Sequence, residues 1–376
     1  MISLISLKRL KTFTFLALLF ILWAACQVQA QSVNDILAYN EKPEVTHAIR
    51  IIKSVYGDDV SVIKKQKDLL KFGYNAAVGT SAETLMGLGG SESNETYVNR
   101  NLIAYFSSSS TVDAEILTIE GHTVGDDVSM SSITQDSGTA TATAAAAHGF
   151  SDDDWVYIEG ANETGYNGIV QVASVPSTTT FTYTVDSGTG SPATGTITAT
   201  SQDKTFVSQN VTLAGQTKTA LTTDLARVTR AFVPAQNRAA NLVGTIYVAE
   251  DVTFTAGVPQ TDTAVHLTIP AGENQSQKTS TTLSSVDYYI VSSFFVDTLE
   301  KNTAYVDCRL EVREVGGVFR PASPWISASN NAPNHFPFDQ YIIIPPNADV
   351  RAVARADSGG TRFVSGGIQG YLGIIQ

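Results

Sequence analysis

The chain of 376 residues is poor in cysteine, in positive charge and in histidine, with 2 Cys, 24 Lys plus Arg and 5 His. Two cysteines, Cys26 and Cys308, make neither a disulfide framework nor a thiolate zinc site. With 36 Asp plus Glu the formal net charge is -12, which argues against nucleic acid as a partner, because binding a phosphate backbone takes clustered Lys and Arg. The histidines (His47, His122, His148, His266, His335) are scattered, with no His-x-x-x-His or His-Glu-x-x-His helix and no Gly-x-Ser-x-Gly elbow anywhere. No metal, cofactor or catalytic set is therefore expected, and the chain reads as a non-enzyme. Paired carboxylates for glycosidic cleavage cannot be recognised by sequence distance in a β-fold, which leaves a polysaccharide-cleaving spike as a third reading. What the chain does have is apolar substance: 43% hydrophobic against 16% charged residues is enough for a sizeable core.

Residues 1–30 carry a signal-like pattern. Lys8, Arg9 and Lys11 precede an apolar run from Phe13 to Ala25, and Val28-Gln29-Ala30 places small residues where a signal peptidase reads. The run is short for a bilayer-spanning helix, so cleavage before Gln31 is expected rather than anchoring. Trp23-Ala24-Ala25-Cys26 is similar to a lipoprotein cleavage site, with Trp where a branched aliphatic residue is usual.

Residues 31–100 read as a helical and loop N-terminal region. Val45, Ala48, Ile49 and Ile52 keep three/four spacing, and Val62, Ile63, Leu69, Leu70 and Phe72 follow it less cleanly. Lys64, Lys65, Lys67 and Lys71 read as the solvated face of an amphipathic helix. Gly87-Leu88-Gly89-Gly90-Ser91 lacks the strand, helix and Lys of a phosphate loop and is read as a plain loop.

Beyond Asn101 the composition turns to Thr, Ser, Val, Tyr and Phe punctuated by Gly, Asn and Asp, the pattern of short antiparallel strands. In Val306 to Arg313 apolar and charged residues alternate without a break, predicting one packed face, with Cys308 on it, and one wet face of Asp307, Arg309, Glu311 and Arg313. Val350 to Ala356 repeats the theme with small residues, and Val286 to Val296 is apolar enough for a strand covered on both sides. The fold class expected is mainly β: a jelly-roll-like β-sandwich from residues 101–132 plus 202–376, interrupted by an inserted small β-barrel or sandwich module at 133–201. That module has almost no Lys or Arg and five strand-like runs. Its flanks, Ile116 to Val124 and Thr205 to Leu213, should pair directly, as at a hairpin tip that accepts an insertion.

Two resemblances enter on particular residues. His148-Gly149-Phe150-Ser151-Asp152-Asp153-Asp154, Val156-Tyr157-Ile158-Glu159-Gly160-Ala161, Tyr166-Asn167-Gly168 and Phe181-Thr182-Tyr183-Thr184-Val185 resemble a small β-module recurring in tailed-phage structural proteins, similar to the small β-domain of ubiquitin-activating enzymes. Asp68 to Gly73, Ile119 to Thr123, Leu225 to Arg230, Asn274-Gln275-Ser276 and Ile368 to Leu372 resemble a group of uncharacterised marine tailed-phage virion structural proteins over most of residues 35–376. The resemblance implies a virion subunit, in head decoration or tail fibre, and carries no activity. A signal-like N-terminus departs from that pattern, because virion subunits assemble in the cytoplasm.

The candidate surface-contact residues are Trp155, Tyr157, Tyr166, Trp325 and Phe336: flat rings in the module, and rings in the Pro-rich stretches Phe319 to Trp325 and Ala332 to Phe338. For Trp155 and Tyr183 the alternative is that they fill the module's own core. Asp152, Asp153 and Asp154 lack the spacing of a calcium loop and read as an acidic turn. The partners implied are copies of the chain itself in a homo-oligomer, with a trimer as one form, other virion proteins, and host surface glycans. The location implied is the virion, and a secreted adhesin or carbohydrate-binding protein is the alternative that the signal-like segment supports.

Overall fold

The computed structural model describes residues 63–86, 97–235, 241–298, 305–329, 334–357 and 362–375. Residues 68–371 form one compact unit, and residues 63–67 and 372–375, outside it, are described as strand ends. The signal-like segment and the glycine run 87–90 lie outside the described residues.

Among the described residues the protein is β-strand joined by turns, with 3-10 turns at Thr164–Tyr166 and Asp262–Ala264. One sheet takes Thr205–Thr212, Ile116–Thr123 and Arg227–Phe232 in that order. A second takes Thr219–Leu225, Ile103–Ser108, Ile246–Glu250 and Val265–Ile269. The two share one core, in which Ile103, Phe106, Leu117, Ile119, Ile246 and Val248 are buried. Ile116–Thr123 shows why: Leu117, Ile119 and Gly121 point inward at period two, with Thr118 and Glu120 between them. A third sheet runs Ile63–Val78, Arg362–Ile375, Tyr288–Thr298 and Asn334–Ile344. The fourth is built on Asp349–Ala356 and Tyr305–Arg313, with the short strands Glu83–Thr84, Thr281–Thr282, Arg320–Pro321 and Ile326–Ser329 added to them.

Between Ile116–Thr123 and Thr205–Thr212 the chain leaves to build a closed barrel. The two flanks pair as expected, from Thr205 opposite Thr123 to Thr212 opposite Ile116. The barrel order is Gly195–Ser201, Asp127–Asp136, Thr139–Ala144, Thr180–Thr184, Gly168–Ser177 and Trp155–Ala161, which pairs back to Gly195–Ser201. Asp127–Asp136 is thus a barrel strand along its whole length, so a boundary at 133 cuts through it. Size complementarity fills the interior: Ala140 lies opposite Tyr183 and Ala142 opposite Phe181, all four fully buried. A narrow barrel has room for a large ring only where the facing residue is small. The seam is made by two glycines at positive φ, Gly160 at 84° and Gly195 at 111°, where a Cβ on Gly160 would lie 1.9 Å from the Thr196 carbonyl oxygen.

The expectation of helix fails at Ile63–Val78, a strand of 16 residues. Its inward positions Lys71, Gly73 and Asn75 are buried, so the strand alternates with polar or glycine residues inside, and the hydrophobic period is hidden. Lys71 is accordingly not on a solvated face: its Nζ donates to the Thr229 carbonyl at 2.6 Å. The remainder of the helical reading, residues 31–62, lies outside the described residues.

Candidate functional site

Tyr305–Arg313 and Asp349–Ala356 pair antiparallel with Asp307 opposite Arg355, Arg309 opposite Val353, Glu311 opposite Arg351 and Arg313 opposite Asp349. Directly opposed residues share a face, so three of these four rungs are pairs of opposite charge. The bonds are made: Arg355 Nη2 donates to Asp307 Oδ2 at 3.0 Å, and Arg351 Nη2 to Glu311 Oε2 at 2.8 Å. Arg313 Nη2 donates to Asp349 Oδ2 at 2.5 Å, and Arg309 Nη2 reaches along its own strand to Glu311 Oε1 at 2.5 Å. The face read as wet is therefore a charge ladder, with Glu311 only 4% exposed. The packed face is as expected, with Val306, Cys308 and Leu310 buried. Burial raises the Cys308 thiol well above its usual pKa, with Asp307 adding to it.

Aromatic rings close over the ladder. Trp325 stacks on two guanidiniums, Arg309 and Arg355, each with Cζ 4.2 Å from the ring centroid. Phe319 carries Arg351 at 3.9 Å, and Tyr97 carries Arg313 at 4.0 Å and Arg227 at 4.7 Å. Stacking of this kind adds roughly 0.5–2 kcal/mol per contact, more as water is excluded.

At the Asp349 end the ladder runs into the interior. Burial alone would raise the Asp349 pKa, but Arg227, Lys204 and Arg313 outweigh it and hold the carboxyl well below the usual range. Burial lowers Lys204 to about 8 against the pull of Asp349, and its Nζ donates to the Asn347 carbonyl at 2.7 Å. His122, also buried, is lowered to about 3, chiefly by desolvation. All three belong to the protein's interior, where no substrate would reach them.

Of the candidate contact residues, Tyr166 is corrected: it is fully buried in the barrel core, because the 3-10 turn Thr164–Tyr166 folds its ring inward, and it is not a surface residue. Trp155 is half-buried at the barrel's base, its ring close against Gly316 of the turn that follows Tyr305–Arg313. Tyr183 does fill the core, and Trp155 does not. Tyr157 is half-buried, its phenol raised by burial and by Glu159. Trp325 is half-buried in the ladder's lid, and Phe336 sits opposite Phe294 on the strand Asn334–Ile344 at the sheet's edge. The structure does not bring these five together. Asp152 and Asp154 cap their turn through the backbone N–H groups of Val175 and Ser151, each at 2.7 Å. An open depression lined by Lys218, Asp251, Val252, Thr253, Phe254 and Thr261 gathers no reactive set, since Lys218 is already bonded to Asp251 and the Val252 carbonyl.

Sequence reasoning missed the lid and the arginines as one surface. The signal was there: Asp307 and Glu311 are four apart, as are Arg351 and Arg355, so an antiparallel pairing aligns them.

No family model matches the chain, and no curated protein matches it. Solved structures of virus particles are similar over most of its length. Against infectious bursal disease virus Gt strain the identity is 9%, over 86% of this chain and 78% of that one, with a TM-score of 0.20. Against the infectious bursal disease virus VP2 subviral particle it is 11%, over 87% and 77%, with a TM-score of 0.21. At identities and TM-scores this low the likeness carries no argument.

Proposed function

We propose that the protein is a non-enzymatic structural component of a tailed-phage virion, in head decoration or tail fibre, acting by repetitive assembly and surface presentation. The observation that carries this reading is the ladder face: its charged groups are bonded to one another and stacked on aromatic rings, which suits it to contact and leaves no convergent acid, base or nucleophile open to solvent there. Among the described residues no three His, Cys, Asp or Glu side chains gather as a metal site. The particle is supplied by the resemblance of Asp68 to Gly73, Leu225 to Arg230 and Ile368 to Leu372 to tailed-phage virion proteins. Quantitative mass spectrometry of purified particles tests it: the chain is expected at structural copy number, and its absence would end the proposal.

The signal-like residues 1–30 favour a second reading, a secreted adhesin or carbohydrate-binding protein. N-terminal sequencing of the native protein separates the two. A mature start at Gln31 together with binding on a glycan array supports secretion, and an intact or internal start removes it.

A further inference from the structure

The ladder face has two unlike ends. At one, the barrel of the same chain is seated through Trp155 on Gly316. At the other, Tyr305 is 50% exposed and Arg355, bonded to Asp307 Oδ2, still keeps a side chain 41% exposed beside Trp325. The ladder as a whole sets four arginines, Arg309, Arg313, Arg351 and Arg355, against three carboxylates, Asp307, Glu311 and Asp349. Arginine with Trp and Tyr is the composition enriched at the energetic centre of protein interfaces. The barrel is the electrostatic opposite. Residues 127–201 contain eight carboxylates and no Lys or Arg. Two of them, Asp127 and Glu159 at the base, are held by Arg100. About 30 Å away along the ten-residue strand Asp127–Asp136, the far rim exposes Asp136 and Asp186. Neither has a cationic partner among the described residues; Asp136 accepts only from the Ser137 hydroxyl and Asp186 from the Gly188 N–H. The rim is rigid, because the Gln135 amide donates to the Ser187 and Thr189 carbonyls at 3.1 and 2.9 Å and accepts from the Gly138 N–H.

We infer that the Tyr305, Trp325 and Arg355 end of the ladder face is a docking surface for the Asp136 and Asp186 rim of the barrel of a second copy of this chain. The inference rests on the structural-protein reading and names its contact. Because the two patches differ, the contact is head-to-tail: each copy offers a rim and a face, and the chain of contacts closes into a ring or continues as a filament. The rings supply apolar area, and the carboxylates supply orientation and discrimination against other partners.

Sedimentation velocity on the full chain, with sodium chloride as the variable, reads this directly. Native protein is expected to associate at low salt and to dissociate as salt rises, since exposed charges are screened beyond about 10 Å at 0.1 M. Asp136→Lys with Asp186→Lys, and separately Arg355→Glu, should each weaken association by about tenfold or more, and an equimolar mixture of the two variants should recover it. Near-UV circular dichroism verifies that the variants are folded, and the milder Asp136→Asn, Asp186→Asn and Arg355→Gln replace any that are not. Association unchanged by these substitutions would overturn the contact while the chain's presence in particles kept the virion reading. A native chain that stays monomeric at every concentration and salt would overturn the contact too. Absence from particles would remove the virion reading on separate grounds.

Discussion

Asp349 lies in the fork of Arg227: Nε donates to Oδ1 at 3.0 Å and Nη2 to Oδ2 at 3.3 Å, with both side chains almost wholly out of water. Arg227 joins the sheet of Ile116–Thr123, and Asp349 belongs to the ladder sheet, so one ion pair ties the two. Thr282 Oγ1 adds a bond to the same carboxylate at 2.7 Å.

Removing the acid and leaving the base is therefore expected to be costly. Asp349→Ala strands a buried guanidinium and should destabilise the protein by about 3–5 kcal/mol, whereas replacing both Asp349 and Arg227 with apolar residues should cost less, the remainder being the loss of the Arg313 bonds to the same carboxylate. Urea denaturation of the single and double variants measures both. The sign of the pH effect follows from the lowered pKa. In the unfolded chain the carboxyl titrates near about 4, so between that value and the lower folded one the unfolded state binds the extra proton. The Asp349 contribution is complete above about pH 4 and is lost as pH falls below it. In Asp349→Ala the denaturation midpoint should lose that part of its acid dependence.

His122 sets a different window. It is 4% exposed, its Nδ1 has no hydrogen-bond partner among the described residues, and its ring meets Phe206 edge-on at 5.6 Å between centroids. Burial is the main cause of its fall to about 3; Lys204, Lys71 and Arg227 add to it and Asp349 opposes it. Unfolded, the imidazole titrates near about 6.5, so between those values only the unfolded chain is protonated there. Stability from keeping His122 neutral is complete above about pH 6.5 and declines as pH falls, by at most about 1.4 kcal/mol per unit. His122→Phe keeps a ring against Phe206 and should flatten the stability profile between about pH 6.5 and 4 while leaving the steeper loss below about pH 4 to Asp349. An unchanged slope in His122→Phe would mean that another group titrates in that range.

How far the sequence could be read depended on which residues faced inward. Thr139–Ala144 is legible although its inward residues are only Ala140, Ala142 and Ala144, because the alternation with Thr is unbroken. Tyr305–Arg313 is legible as a strand for the same reason. Ile63–Val78 is not, since Lys71, Gly73 and Asn75 break the association between apolar and inside. The ladder is a tertiary property: nothing local to Asp307 says that Arg355 faces it, so charges that look solvated in one strand are neutralised by the next. Tyr166 misleads similarly, because a phenol in a Gly-rich polar stretch looks exposed until the barrel closes round it.

Closure of the barrel depends on a position with no side chain. Gly160 has φ 84°, and the Cβ that alanine would bring lies 1.9 Å from the Thr196 carbonyl oxygen, so Gly160→Ala meets both an unfavourable backbone region and a backbone clash at the seam. The strained φ alone costs about 1–3 kcal/mol, and the clash can be relieved only by parting Trp155–Ala161 from Gly195–Ser201. Gly149 supplies the control: its φ is 72°, yet nothing lies within 4 Å of its added Cβ, so Gly149→Ala should show the backbone cost alone. The barrel has its own core of Ile133, Val156, Ile158, Phe181 and Tyr183, separate from that of the flanking sheets. Opening the seam should therefore speed amide hydrogen exchange across residues 127–201 in Gly160→Ala and leave Ile103–Ser108 and Ile116–Thr123 protected. Equal acceleration in those two strands would show instead that barrel and flanking sheets unfold as one cooperative body.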